Sequence, residues 1–270
     1  MIPLEDAYSD ILGKAQRGLG VNDATVAAWA GVTAEAWVKV RGGGFDEGAV
    51  RKAAPHLGLD ADSLVAIGKG AWHPRVPMPK GVARATTEFS GGTVNAYVVW
   101  CPETREAAFF DTGMDRMPLL RIVREHGLLP RYLFVTHTHV DHIAELPALA
   151  KETGTAPALV HRNGDIGGVK LFEWGDAFPL GSLRIGTRRT TGHAEDGTTF
   201  VVEGLAVPVA VVGDAIFAGS MGGGMVSYDE ALRTNRESLF TLPEETVLCP
   251  GHGPLTTVSL EKRHNPFYAK

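Results

Sequence analysis

The sequence predicts an α/β protein in two parts: a small all-α unit followed by a larger mixed domain. Three observations carry this. Residues 1–70 are rich in Ala and Leu, with apolar residues at helical spacing. The segment WHPRVPMPKG, residues 72–81, holds three prolines and reads as a linker, because Pro fixes φ and removes a backbone donor. Beyond it, β-branched runs alternate with helical patterns. The expected division is therefore a helical domain over 1–71, a linker over 72–81 and an α/β domain over 82–270.

Within the first part, Asn22 can cap a helix over VNDATVAAWA. Gly31-Val32 makes a break, Thr33 can cap TAEAWVKVR, and Gly42-Gly43-Gly44 ends it. Further helices fit 46–57 and 61–67. In the second part, strands fit 82–89, 93–100 and 106–111, then a helix near 115–126. A strand at 131–136 precedes a helix near 141–152, in whose interior Pro147 stands as a breaker. Strands follow at 157–161, 182–190, 198–203 and 207–213, then a helix at 229–240 and a strand at 245–249.

The 270 residues are 44% hydrophobic and 21% charged, which excludes a mainly disordered chain. No apolar run reaches the roughly 18 residues of a membrane helix, and the acidic start lacks a signal-peptide core. Cys101 and Cys249 each precede a Pro in an apolar stretch and read as buried thiols of a cytoplasmic protein. The net charge of −5 argues against a nucleic-acid partner for the whole chain.

Chemistry concentrates in Thr136-His137-Thr138-His139-Val140-Asp141-His142, directly after the apolar run Tyr132-Leu133-Phe134-Val135. Strand ends are where α/β sheets place ligands. Three His and one Asp in so short a span offer borderline N and hard O donors suited to zinc, iron or manganese. His137 and His139 alternate along an extended turn and can share one ion. Asp141 and His142 begin the next helix and can face another. His193 in TTGHAEDGT, Asp214 in VVGD and His252 in CPGHGP also fall at strand ends. The remaining five histidines, His56, His73, His126, His161 and His264, lack such a context and read as surface or structural.

The order THTHVDH, TTGH, GD and PGHGP resembles the metallo-β-lactamase fold superfamily, over about 190 residues. The resemblance implies an αββα sandwich with metals at one edge of its two sheets. It implies that His137, His139 and His193 hold one ion, that Asp141, His142 and His252 hold the other, and that Asp214 bridges them. An Asp rather than a Cys at the bridge, and the tail from Gly251 to Phe267, resemble the glyoxalase II-like hydrolases. That implies two divalent ions, zinc first with iron or manganese as alternatives. The implied reaction is cleavage of a small-molecule thioester or ester by a metal-bound hydroxide, with Asp141 handling the proton. The resemblance is to the short members, for which the helical domain that grips glutathione in full-length glyoxalase II is not expected. Thr136, Thr191 and Asp111 are candidates to hold the far nitrogens of the metal-binding imidazoles. Tyr228, Gly222, Gly223 and Arg189 are candidate substrate contacts. Glu195 and Asp196, beside His193, would disfavour an anionic substrate or bind something positive.

Three other readings compete: a mononuclear iron persulfide dioxygenase using His137, His193 and Asp214, a lactonase, and a DNA-binding regulator with a metal-sensing domain. The last arises because Val26-Ala27, Gly31-Val32-Thr33, Trp37 and Leu57-Gly58 resemble small repressor-type helix-turn-helix proteins. Yet residues 1–75 carry eight Lys/Arg against nine Asp/Glu, a net of −1, and the second helix offers only Lys39 and Arg41 beside Glu35. DNA binding feeds on phosphate neutralisation. The expectation is a unit that packs on the metal domain or forms a homodimer, with Trp29, Trp37 and Trp72 supplying apolar contact.

Overall fold

The computed structural model describes residues 2–164 and 166–269. The first part holds helices α1 (Tyr8–Gly18), α2 (Asp23–Ala30), α3 (Ala34–Arg41), α4 (Glu47–Ala53) and α5 (Ala61–Gly68). The expected caps are present: Asn22 accepts from Thr25 N and Thr33 from Ala36 N, while Gly31 takes the left-handed φ of 70° between α2 and α3. Such a helix pair assigns no function by itself. The helix expected over 46–57 tightens after Ala53 into a 3₁₀ turn, Ala54–Leu57, with Pro55 in it. Helix α1 has no counterpart in the sequence reading. Its two glycines weaken intrinsic propensity, and burial of Tyr8, Ile11, Leu12 and Ala15 on one face compensates.

The second part is an αββα sandwich. Strands β1 (Val82–Phe89), β2 (Gly92–Trp100), β3 (Glu106–Phe110), β4 (Leu129–Phe134), β5 (Leu159–His161) and β6 (Lys170–Phe172) form one sheet in sequence order. The other sheet, ordered β12-β11-β10-β9-β8-β7, is built from β7 (Ala177–Leu180), β8 (Leu183–Arg189), β9 (Thr198–Glu203), β10 (Val209–Gly213), β11 (Val247–Pro250) and β12 (Thr256–Thr257). The facing surfaces pack Tyr97, Phe110 and Phe134 against Phe200, Val202 and Val211. Burying each such side chain contributes roughly 1.5–3 kcal/mol. Strand β2 reads as a continuous apolar run because both faces are covered: Val99 joins this inner core and Val98 the outer one.

Helices α6 (Met117–His126) and α8 (Leu146–Thr153) cover the first sheet, with Leu119 and Leu149 in a core shared with Val98 and Phe109. The single helix expected over 141–152 is two pieces, α7 (Val140–Ile143) and α8. Pro147 lies in the first turn of α8, where its missing N–H has no intrahelical partner to lose. Helices α9 (Tyr228–Ser238) and α10 (Val258–His264) lie against the second sheet. The short strands β6, β7 and β12, of two to four residues, carry no periodicity and escaped the sequence reading, as did the two-turn helix α10.

The helical unit joins that outer layer. Ile11, Leu12, Leu64 and Val65 share one buried cluster with Ile216, Met221, Leu248 and Phe267. Trp72 packs beside it, with its ring centroid 5.6 Å from that of His264. Lys14 Nζ donates to Met221 O at 2.8 Å, and Asp60 N to Pro266 O at 2.8 Å. Trp37 is fully buried and Trp29 stacks on His56 at 5.0 Å, so these two serve within the helical unit.

Candidate metal centre

Parallel pairing of β3 with β4 and of β10 with β11 brings their C-terminal ends to one edge of the sandwich. His137 and His139 follow β4, His193 follows β8, Asp214 follows β10 and His252 follows β11. Asp141 and His142 sit in α7. All seven side chains expected at the centre are brought together. Three sets, His137/His139/His193, His137/His142/Asp214 and Asp141/His142/His252, each hold their donor atoms within 4.8 Å of one another.

His139 Nδ1 lies 3.1 Å from His137 Nε2 and 3.0 Å from His193 Nε2. Across the site, Asp141 Oδ2 lies 3.3 Å from His252 Nε2 and 3.6 Å from His142 Nε2. Asp214 stands between: Oδ2 is 3.5 Å from His193 Nε2 and 3.3 Å from His252 Nε2, and Oδ1 is 3.4 Å from His142 Nε2. Donors about 2.0–2.1 Å from a common tetrahedral centre lie about 3.3–3.4 Å apart, so these spacings fit metal coordination. His142 Nε2 and Asp214 Oδ1 are buried without a hydrogen-bond partner. Orphaned buried polar atoms are costly, and two aimed at one point ask for a cation.

The far sides of the rings are held. Asp111 Oδ2 lies 2.8 Å from His142 Nδ1 and accepts from Thr136 Oγ1 at 2.7 Å, while Oδ1 accepts from Thr136 N at 2.7 Å. Thr136 Oγ1 in turn lies 3.1 Å from His137 Nδ1. Asp111 adopts a left-handed φ of 63°, a conformation Asp tolerates better than most residues. His193 Nδ1 donates to Gly223 O at 2.9 Å and His252 Nδ1 to Thr93 O at 2.7 Å. Those two carbonyl acceptors left no trace in the sequence, because any residue carries a carbonyl. Thr191, expected to support a ligand, instead donates to Glu230 at 2.6 Å.

Burial holds His137 well below the ordinary imidazole range and lowers His193, keeping both neutral as ligands must be. Burial also works against charge on His142, but the Asp111 and Asp214 carboxylates outweigh it and hold its pKa at about 10. His252 is desolvated too, yet Asp141 and Asp214 raise it to about 11. Desolvation opposes the Asp214 carboxylate, and the surrounding imidazoles, His142 first, still keep it well below its usual range. The same carboxylates that favour a proton on His142 and His252 favour a metal cation in its place.

The expected substrate contacts divide. Gly222 and Gly223 lie against His193, and a Cβ at Gly222 would stand 1.9 Å from Asp214 O, so this turn needs glycine to pass the site. Tyr228 must be corrected. Its ring is buried in the core shared with the helical unit, over Gly18 and near Phe267, because it begins the helix that faces that layer. Arg189 must be corrected as well: it pairs with Glu230 and lies 5.2 Å over the Trp174 ring. Asp196 is buried and desolvation raises its carboxyl, whereas Glu195 is exposed. Cys101 and Cys249 are buried free thiols, and His161 is buried against Trp174.

A cavity of about 300 Å³ opens on the centre, lined by His139, Asp141, His193, Asp214 and His252, by Phe89, Ser90, Gly92 and Thr93 around the β1–β2 turn, and by Glu5. Fold and site together define a metal-dependent hydrolase. Residues 90–252 match the metallo-beta-lactamase superfamily, more than half of the chain, and the chain belongs to that superfamily. It is 27% identical over 202 residues to a probable metallo-hydrolase of Bacillus subtilis, YqgX, spanning 65% of this chain and 93% of that one. It is 34% identical over 154 residues to a hydroxyacylglutathione hydrolase of Methylobacterium, 56% of this chain and 59% of the relative. Among solved structures, ETHE1 from Myxococcus xanthus superposes with a TM-score of 0.60 at 27% identity, over 69% of this chain and 84% of that one. The family match begins after α5, so the helical unit lies outside it.

Proposed function

We propose that the chain is a dinuclear hydrolase of a small thioester or ester. One ion would be held by His137, His139 and His193, the other by Asp141, His142 and His252, with Asp214 shared between them. The observation that carries this is the position of Asp214, whose two oxygens lie within 3.3–3.5 Å of His193, His252 and His142. The donors are imidazole and carboxylate throughout, which suits zinc, with iron or manganese as alternatives. Likeness to the hydroxyacylglutathione hydrolase supports thioester chemistry.

Two such ions would supply Lewis-acid polarisation of an acyl carbonyl and a lowered pKa for a nearby water. The protein's own residues do the rest. Asp141 lines the cavity and accepts the proton of the attacking water. Asp111 and Thr136 lock the rings of His142 and His137, and Gly223 locks that of His193. The turn from Phe89 to Thr93 walls the entrance.

The division into 1–71, 72–81 and 82–270 belongs to this proposal. The helical unit is a scaffold for the metal domain and not a DNA reader. Arg41, half of the basic content of α3, is committed to Asp23 at 3.0 Å. Gel shifts with mixed-sequence duplex at low salt test this, and micromolar, salt-sensitive binding overturns it. Free Cys101 and Cys249 support a cytoplasmic setting.

The central test is elemental analysis of protein purified without chelator, with hydrolysis assays on thioesters, esters and lactones. About two metals per chain are expected. Asp214→Ala is expected to bring the content well below one. Full loading of that variant refutes the shared ligand, and a reproducible single iron in the wild type favours the oxygenase reading.

A further inference from the structure

The chain before α1 crosses the mouth of the metal centre. Glu5 lines the same 300 Å³ cavity as Asp141, His193 and His252. The segment continues along an adjoining groove of about 860 Å³, where Ile2, Pro3 and Leu4 face Phe89 and Glu88 across the opening. The two cavities share Glu5 and the β1–β2 turn, so they form one continuous entrance.

This segment is fixed in place. The Asp6 carboxylate pairs with Lys14 and accepts from Ser220 Oγ at 2.5 Å. Ile2 O lies 2.8 Å from His73 Nε2. Gly253, the residue after His252, lets the backbone pass: a Cβ there would stand 3.1 Å from Glu5 N. Helix α1 and the linker thus deliver Glu5 to the site.

The charges are uneven. Among the described residues, no Lys or Arg lines either cavity. Asp6 is neutralised by Lys14, but the only ion-pair contact of Glu5 among the described residues is His252 Nδ1 at 3.9 Å. That nitrogen is already engaged with Thr93 O at 2.7 Å. Glu5 is 31% exposed and opens into the cavity. Among the described residues no Lys or Arg side chain pairs with Glu5, so a positively charged ligand group entering the cavity finds a carboxylate partner there.

We propose that residues 2–5 form a wall of the substrate site and that Glu5 is a specificity-determining residue, favouring acyl substrates that carry an ammonium group near the scissile bond over carboxylate-bearing ones. The reaction rests on the hydrolase reading above; the charge preference is a property of the cavity. Ile2, Leu4 and Phe89 add an apolar surface suited to alkylated ammonium.

The test uses three thioesters with one acyl group: S-acetylthiocholine, S-acetyl-2-mercaptoethanol and S-acetyl-3-mercaptopropionate. They are given to the metal-loaded wild type, Glu5→Gln and Glu5→Lys. Calorimetry with thiocholine and 3-mercaptopropionate measures binding without turnover. The wild type is expected to favour the cation over the anion by about fivefold or more, chiefly in KM. Glu5→Gln is expected to level the series and Glu5→Lys to invert it, at unchanged metal content. A preference that is absent, or that survives Glu5→Gln, overturns the proposal, as does loss of metal in step with the effect. Charge-selective binding that depends on Glu5 without hydrolysis of any thioester sustains the proposal and removes the thioesterase reading.

Discussion

At the scale of single residues, the centre depends on groups that never touch an ion. Asp111 is one: it spans His142 and Thr136 from a left-handed backbone position. Asn tolerates that conformation and keeps the shape, so Asp111→Asn removes charge and not fold. Metal affinity is expected to drop about 10–100-fold, measured by chelator competition, with little change in the unfolding midpoint. Unchanged affinity would show that Thr136 and packing suffice to orient the rings.

Glu261 brings α10 into the account at the scale of elements. Its carboxyl is fully buried, accepting from Gly219 N at 3.0 Å, Asn265 Nδ2 at 2.8 Å and Thr256 Oγ1 at 2.5 Å. It thereby ties α10 to β12 and to the loop beyond Asp214. Desolvation outweighs these bonds and raises its pKa from 4.5 to about 7. The folded state therefore holds the proton more tightly than the unfolded chain. Its contribution is complete below pH 4.5 and is lost as pH rises through 7, on the order of 3 kcal/mol. Glu261→Gln mimics the neutral form. Urea unfolding at pH 5 and pH 8 is expected to show a smaller fall for the variant, and a more stable variant at pH 8. Parallel pH profiles of the two proteins would refute the buried-proton account.

Across the whole molecule, one buried cluster joins the helical unit to the second sheet. Domains sharing a core unfold together. Trp72 is the hinge of this contact, with its ring against Gly219 and near His264. Trp72→Ala is expected to cost about 2 kcal/mol for a half-buried ring and to lower helix and metal-site signals in a single transition. Two separate transitions, with the metal domain unaffected, would show that the parts are independent.

Much of this was legible in the linear chain. The strands at 82–89 and 198–203 coincide with β1 and β9, because alternation and β-branching act locally. His193, Asp214 and His252 were legible because each follows a glycine in a turn after a strand, and His137, His139, Asp141 and His142 because they crowd into one short span after the apolar β4. Tertiary structure alone decided the rest. The imidazole acceptors Thr93 O and Gly223 O are backbone atoms with no identity in sequence. Tyr228 follows the site in the chain but its ring turns to the core of the helical unit. Glu5 lies 247 positions before His252, yet its carboxylate stands 3.9 Å from that ring. Periodicity fixes what neighbours along the chain do, whereas the closing of an entrance by a distant segment depends on packing that only the folded molecule contains.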